Sequence, residues 1–383
     1  MSACFHRLFL IVGLLLTSLL FHAAWAEVPI PAPPQVAASS HLLIDFNSGH
    51  ILDENNADQH LEPASLTKIM TASAVMRELA EGNIKLNDQV LVSEKAWRTP
   101  GSRMFIEVDK RVSVEELLEG MIIQSGNDAS VALAEHVAGS EETFANLMNE
   151  HAQRLGMTNT HFVNSTGLPA EEHYTTARDV AIVSAATIRE FPEYYQWYAV
   201  KEFTFNGINQ HNRNKLLWRD DAVDGVKTGH TEAAGYCLVA SAQKQGMRLI
   251  SVVMGTSSEN ARARESLALL NYGFRFFETH RLYGIGEVLN RARVWKGAQE
   301  SVALGLDETL YITIPRRQYK NLQAGMSIDP HLMAPVSKGQ ELGRVRITLN
   351  EELVKEVPLI ALEAVNEGGL WQSAKDSVLL WFE

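Results

Sequence analysis

The sequence predicts an α+β fold: an antiparallel sheet with an inserted helical lobe, then a small mostly-β domain and a C-terminal amphipathic helix. Three observations predict it. A strand-turn-strand signal near residue 42 and a hairpin near residue 245 bracket a stretch of helical periodicity, so the simplest burial of those strands is one shared sheet. Beyond about residue 280, short β-rich runs alternate with Gly and Pro. Residues 366–383 then place apolar side chains along one helical face. The chain has 383 residues, comfortable for two domains, and its 46% apolar and 21% charged residues are a globular balance. No apolar run of about 18 residues lies beyond the N-terminus, which argues against a multi-span membrane protein. The formal net charge of −12 argues against a nucleic-acid partner.

Taken in order, residues 1–26 read as a signal peptide. Arg7 is a short positive region, Leu8 to Phe21 an apolar core, and Ala24-Trp25-Ala26 a small-x-small cleavage pattern. Cleavage removes Cys4 and leaves Cys237 alone in an apolar run, so no internal disulfide is expected. Residues 27–40 carry Pro29, Pro31, Pro33 and Pro34 and read as an extended tether. Leu42 to Phe46 and Ile51-Leu52 flank the turn Asn47-Ser48-Gly49. Helical patterns follow at about 65–79, 114–124, 129–137, 142–155 and 178–189, and a strand-like run at 200–205. Residues 236–242 and 248–255 form a hairpin around Gln245-Gly246, and a long helix spans about 260–277. The first globular domain is thus expected over 41–279 and the β-rich domain over 280–365. In the tail, Leu370, Trp371, Ala374, Val378, Trp381 and Phe382 share one face, with Gln372, Asp376 and Glu383 opposite. Two Trp and a Phe on such a stripe suit a membrane surface, although Lys375 is the only base there.

Three short motifs carry chemistry: Ser65-Leu-Thr-Lys68, Ser125-Gly-Asn127 and Lys227-Thr-Gly229. Ser65 opens a helix, where backbone N–H groups point outward, and Lys68 three residues on shares its face. An amine in a desolvated site loses pKa and can take the serine proton. Ser125 falls in a tight turn between helices. Lys227-Thr-Gly229 leads into a strand, with Lys227 supplying positive charge, Thr228 a hydroxyl and Gly229 an open approach for an extended peptide. Each motif alone is weak. Ser241-Ala-Gln-Lys244 and Ser258-Glu-Asn260 repeat the first two spacings, but in contexts that do not put the groups together. Glu171 and Glu172, neighbours in a loop, read as solvated. No two histidines lie within four residues of each other, so no metal site is expected.

With these motifs in order, the sequence resembles the serine D-alanyl-D-alanine carboxypeptidases, the low-molecular-mass penicillin-binding proteins, whose motif set is shared with class A β-lactamases. The strings Glu62-Pro-Ala-Ser-Leu-Thr-Lys-Ile-Met-Thr71, Val223-Asp-Gly-Val-Lys-Thr-Gly-His-Thr231, Ala234 to Ala242, His161-Phe-Val-Asn-Ser-Thr-Gly-Leu168 and Asn212-Arg-Asn214 carry the resemblance almost end to end. It implies a β-lactamase/penicillin-binding-protein-like transpeptidase domain and no cofactor. It implies Ser65 as nucleophile, Lys68 as general base, and the backbone N–H groups of Ser65 and His230 as an oxyanion hole. Ser125, near Lys227, would pass a proton to the departing D-alanine. Asn127 would bind a substrate amide or support Lys68, and Thr228 and Arg262 would hold the terminal carboxylate, with Arg264 as the competitor for Arg262. The implied partners are peptidoglycan stem peptides ending in D-Ala-D-Ala, β-lactams, and a membrane surface through the tail. The implied location is the periplasm, peripheral on the outer face of the inner membrane. A D,D-endopeptidase or β-lactamase using the same acyl-serine site, and an envelope scaffold with weak catalysis, are the rival readings.

Overall fold

Strands from the two ends of the first region meet in one sheet. The computed structural model describes residues 30–381. The expected signal peptide, the tether as far as residue 29, and Phe382 and Glu383 lie outside the described residues. The folded body begins at Pro33. Strands β1 (Ser40–Asp45), β2 (Ile51–Asn55), β3 (Val223–Thr231), β4 (Gly235–Lys244) and β5 (Met247–Thr256) form an antiparallel sheet in the order β2-β1-β5-β4-β3. β1 pairs with β5 from Ser40↔Met254 to Asp45↔Leu249, so the chain closes on itself there. The end of the expected tether is not free: Val36 and Ala38 pack against the core, and the Ser39 N–H donates to the Met254 carbonyl at 2.9 Å. The β4–β5 turn has φ of 53° at Gln245 and 82° at Gly246, the double positive φ that a two-residue hairpin matching strand twist requires.

Both faces of the sheet are covered, which explains why its strands read as near-continuous apolar runs. Leu42, Ile250, Val252 and Met254 face a helical lobe; their neighbours Leu43, Leu249 and Val253 face the opposite way, onto the last helix of the region. The lobe contains α1 (Thr67–Glu81), α2 (Val114–Ile123), α3 (Asn127–Ala138), α4 (Glu141–Leu155) and α5 (Ala177–Glu190). Ser113 and Glu116 close a capping box on α2, and Ser140 and Thr176 cap α4 and α5 through their side chains. α1 is buried at every residue from Thr67 to Met76, polar ones included, so it runs through the centre of the lobe. α6 (Glu259–Phe276), capped by Ser258, covers the other face of the sheet.

α6 passes directly into β6 (Phe277–Tyr283), so the boundary expected at 279/280 falls within a strand. The β-rich part continues with β7 (Asn290–Arg293), β8 (Ser301–Gly305), β9 (Leu310–Pro315), β10 (Leu322–Ile328), β11 (Glu341–Leu349) and β12 (Glu352–Ala361). β6 pairs with β9, and the others form a sheet ordered β7-β8-β12-β11-β10. A hydroxyl–carboxylate cluster joins the two parts. Asp45, fully buried, accepts from Ser48 Oγ at 2.8 Å and Thr279 Oγ1 at 2.7 Å, and Thr313 Oγ1 lies 2.6 Å from Ser48 Oγ and 2.8 Å from Thr279 Oγ1.

The terminal helix α7 (Leu370–Leu379) docks by its polar face. Asp376 is 2% exposed and accepts the Lys296 N–H at 2.6 Å, whereas Leu370, Trp371 and Trp381 are 93%, 89% and 91% exposed. Among the described residues, no helix is long and apolar enough to cross a membrane.

Candidate active site

Ser65 sits in a 3-10 turn, Ala64–Leu66, that runs straight into α1. Ala64 has φ of 46°, a left-handed conformation that costs a non-glycine residue energy and that packing from outside the turn must hold. Two glycines provide the space. A β-carbon on Gly167 would stand 1.8 Å from the Ala64 carbonyl oxygen; one on Gly229 would meet the Pro63 carbonyl at 3.1 Å and Ala64 Cβ at 3.3 Å. This corrects the sequence-based reason for Gly229. Its missing side chain faces the serine-bearing turn rather than opening an approach for substrate.

Lys68, one turn on, is 1% exposed. Its Nζ donates to Ser65 Oγ at 3.2 Å, to Asn127 Oδ1 at 2.6 Å and to the Thr166 carbonyl at 2.5 Å. Burial lowers its pKa to about 7, against the opposing pull of Asp128 and Glu141. Asn127 is fixed in turn: its Nδ2 donates to the Pro100 carbonyl at 2.6 Å and its backbone N–H to the Ser102 carbonyl at 2.7 Å. Asn127 Oδ1 thus accepts one of the three bonds that Lys68 donates.

Ser125 occupies the tight turn between α2 and α3, with φ of 68°, and is buried. The bonds that tie Ser65, Lys68 and Asn127 together do not include it. Lys227-Thr-Gly229 lies inside β3, the edge strand of the sheet, rather than at a strand start. Lys227 and Thr228 are both buried. Burial, reinforced by Lys68, Arg262 and Arg213, pushes Lys227 well below its usual value. His230 is exposed, its ring 4.0 Å from that of Tyr236. Arg262 is the arginine that turns inward. Its Nη1 donates to the Gly229 carbonyl at 3.0 Å and its guanidinium lies 5.6 Å over the Tyr236 ring, while Arg264 is exposed and pairs with the buried Glu265.

The decoy motifs are structural. Ser241 Oγ accepts from Arg248, Lys244 pairs with Asp220, and Ser258 caps α6. Glu171 and Glu172 are exposed. Cys237 is buried, and burial raises its thiol to about 11, which leaves it protonated at neutral pH.

Three residues around the site lie outside the three short motifs. Asp128, buried, accepts from the backbone N–H groups of Met104, Phe105 and Ile106 at 3.0, 2.9 and 3.3 Å, holding the segment that follows Pro100. Thr166 supplies a carbonyl to Lys68, and its loop is organised by Asn164 Oδ1, which accepts from Thr166 and Gly167 N–H. His173 spans from that loop to α1 through Val163 and Thr67. The Ser-Gly-Asn-Asp run could have pointed to Asp128. Nothing in the linear spacing points to a backbone carbonyl or to His173.

Comparisons with known proteins agree with one another. Residues 27–258 match the family model described as D-alanyl-D-alanine carboxypeptidase, and residues 277–367 that of the penicillin-binding protein 5 C-terminal domain. The chain is 47% identical over 365 residues to D-alanyl-D-alanine carboxypeptidase DacC of Escherichia coli (strain K12), covering 93% of this chain and 91% of that one. It is 43% identical to DacA of the same organism, covering 92% and 90%. Among solved structures, penicillin binding protein 5 from Haemophilus influenzae superposes with a TM-score of 0.85 at 43% identity, covering 88% of this chain and 100% of that one.

Proposed function

The chain belongs to the D-alanyl-D-alanine carboxypeptidase family and is a serine-type hydrolase of that activity, and within it we propose an assignment of residues to steps. One observation carries the assignment: a buried amine, lowered to about 7, lies 3.2 Å from the serine oxygen at the start of its own helix. Neutral Lys68 takes the Ser65 proton as Oγ bonds to the carbonyl carbon of the penultimate D-alanine. The backbone N–H groups of Ser65 and His230 hold the oxyanion. As the C–N bond breaks, the amine of the departing D-alanine receives a proton through Ser125 and Lys227, whose depressed pKa suits it to give one up. Thr228 and Arg262 hold the terminal carboxylate, and water then releases the acyl group from Ser65. A β-lactam enters the same path, but its ring-opened remainder stays attached and blocks that water.

The finer location follows the same reading: an exported protein, its catalytic domain over 41–279 and β-rich domain over 280–365, resting on the periplasmic face of the inner membrane through residues 366–383. The exposed Trp371 and Trp381 support that placement.

Intact mass after incubation with benzylpenicillin tests the nucleophile. A one-equivalent adduct on the wild type and none on Ser65→Ala is the expected result. An adduct that persists on Ser65→Ala would move the nucleophile elsewhere, and rapid loss of the wild-type adduct would favour a β-lactamase.

A further inference from the structure

Lys68 is held from three sides, and one of them is not self-supporting. The Thr166 carbonyl belongs to a loop whose Gly167 has φ of 81°, so the loop must be fastened to stay against α1. His173 provides the fastening. It is 4% exposed, with its ring edge-on to Phe162. The Val163 N–H donates to its Nδ1 at 2.9 Å, which places the ring proton on Nε2. That Nε2–H donates to Thr67 Oγ1, also at 2.9 Å, on the residue just before Lys68.

We propose that His173 is a positioning residue of the acylation step: as a neutral imidazole it bolts residues 163–168 to the start of α1 and keeps Lys68 dry and in contact with the Thr166 carbonyl. The inference rests on Lys68 as proton acceptor. The charged and titratable groups facing the ring are His161 on its own loop, Glu141 from α4 and Lys68 from α1. Burial outweighs all three and lowers His173 to about 4, so the ring stays neutral wherever Lys68 is neutral. A protonated ring would turn Nδ1 from acceptor to donor and set it against the Val163 N–H. The loop's bonds to other elements, Thr71 Oγ1 to the Ser165 carbonyl at 2.7 Å and Ser165 to Glu141, end at Ser165, and those of Asn164 to Thr166 and Gly167 stay within the loop.

The consequence is a shift in the pH profile rather than a general weakening. Loosening the loop hydrates Lys68, and burial is the main reason its pKa is low, so its titration moves up. The experiment is the second-order rate of benzylpenicillin acylation from pH 5 to 9 on the wild type, Thr67→Val, His173→Gln, His173→Leu and Lys68→Ala, with melting curves alongside. The wild-type rate should rise through a midpoint near 7. Thr67→Val and His173→Leu should move the midpoint up by about one unit, lowering the rate about fivefold at pH 7 and little at pH 9. His173→Gln, whose amide can still donate to Thr67, should restore most of the profile. If His173→Leu does not fold, Thr67→Val carries the same test. A folded Thr67→Val with the wild-type midpoint overturns the inference. A Lys68→Ala that still acylates at the wild-type rate overturns the Lys68 assignment itself, and the inference with it.

Discussion

A β-carbon at position 167 would stand 1.8 Å from the Ala64 carbonyl oxygen and 2.9 Å from Thr67 Oγ1, in a residue whose φ is 81°. Neither atom belongs to a flexible chain end, so the added methyl group has to move backbone. The Gly167→Ala variant should therefore lose stability by roughly 1–3 kcal/mol from the conformational cost alone. Its benzylpenicillin acylation should fall much further than its stability, because the displaced atoms adjoin Ser65 and Lys68. Denaturant midpoints and acylation rates measured together check this; an alanine variant that acylates normally would mean that the loop and the serine turn are not mechanically joined. The contrast with Gly229 is instructive. A glycine beside a lysine on an edge strand suggests room for a ligand, yet the volume it leaves is taken by Pro63, Ala64 and Leu66. A single residue's spacing says that a close approach occurs, not which partner makes it.

At the scale of elements, periodicity placed α1 to α6 within about two residues, because α2, α4, α5 and α6 are capped by a Ser or Thr side chain and α1 and α3 end on a left-handed glycine, signals that the sequence displays. The three motifs were legible for the same reason: Ser65 and Lys68 are local neighbours on one helix. What was not legible is what lies between elements. His173 reaches Thr67 across 106 positions, and Thr166 acts through a carbonyl that every residue type possesses. The tail helix shows a further limit. Its apolar stripe was readable, but the side that docks was not, since that depends on one carboxylate, Asp376, meeting the Lys296 N–H. Removing that carboxylate leaves a partly buried donor unpaired, at a cost of about 1 kcal/mol. Asp376→Ala should raise hydrogen exchange in 370–380 while leaving partition onto anionic lipid vesicles largely intact, because the exposed Trp371 and Trp381 remain. Deleting 366–383 should abolish partition. Unchanged partition after the deletion would place the membrane contact outside the tail.

Over the whole molecule, charge and connection are arranged differently at the two ends. In a chain of net charge −12, Arg213 and Arg262 face Lys227 on one strand, a local positive field that helps hold that lysine's pKa down and suits a carboxylate-terminated peptide. The β-rich part adds no group to that field. It is coupled to the sheet through β6, which continues α6 without a loop, and through the buried cluster of Asp45, Ser48, Thr279 and Thr313. The backbone of α6 is tied in as well, since Arg316 Nε donates to the Phe274 carbonyl at 2.9 Å. A junction fastened this way ties the orientation of the β-rich part to that of the sheet. Asp45 is the acceptor on which the Ser48 and Thr279 hydroxyls converge, so Asp45→Ala should leave these partly buried donors unpaired and lower stability by about 1–3 kcal/mol. None of the four residues bonds to a member of the acylating constellation. Benzylpenicillin acylation of Asp45→Ala should then stay within about twofold of wild type while calorimetric unfolding broadens or splits, as two parts that melted together begin to melt separately. A single sharp transition at the wild-type temperature would show that the α6–β6 continuity alone holds the parts together; a large fall in acylation would show that the β-rich part shapes the site after all.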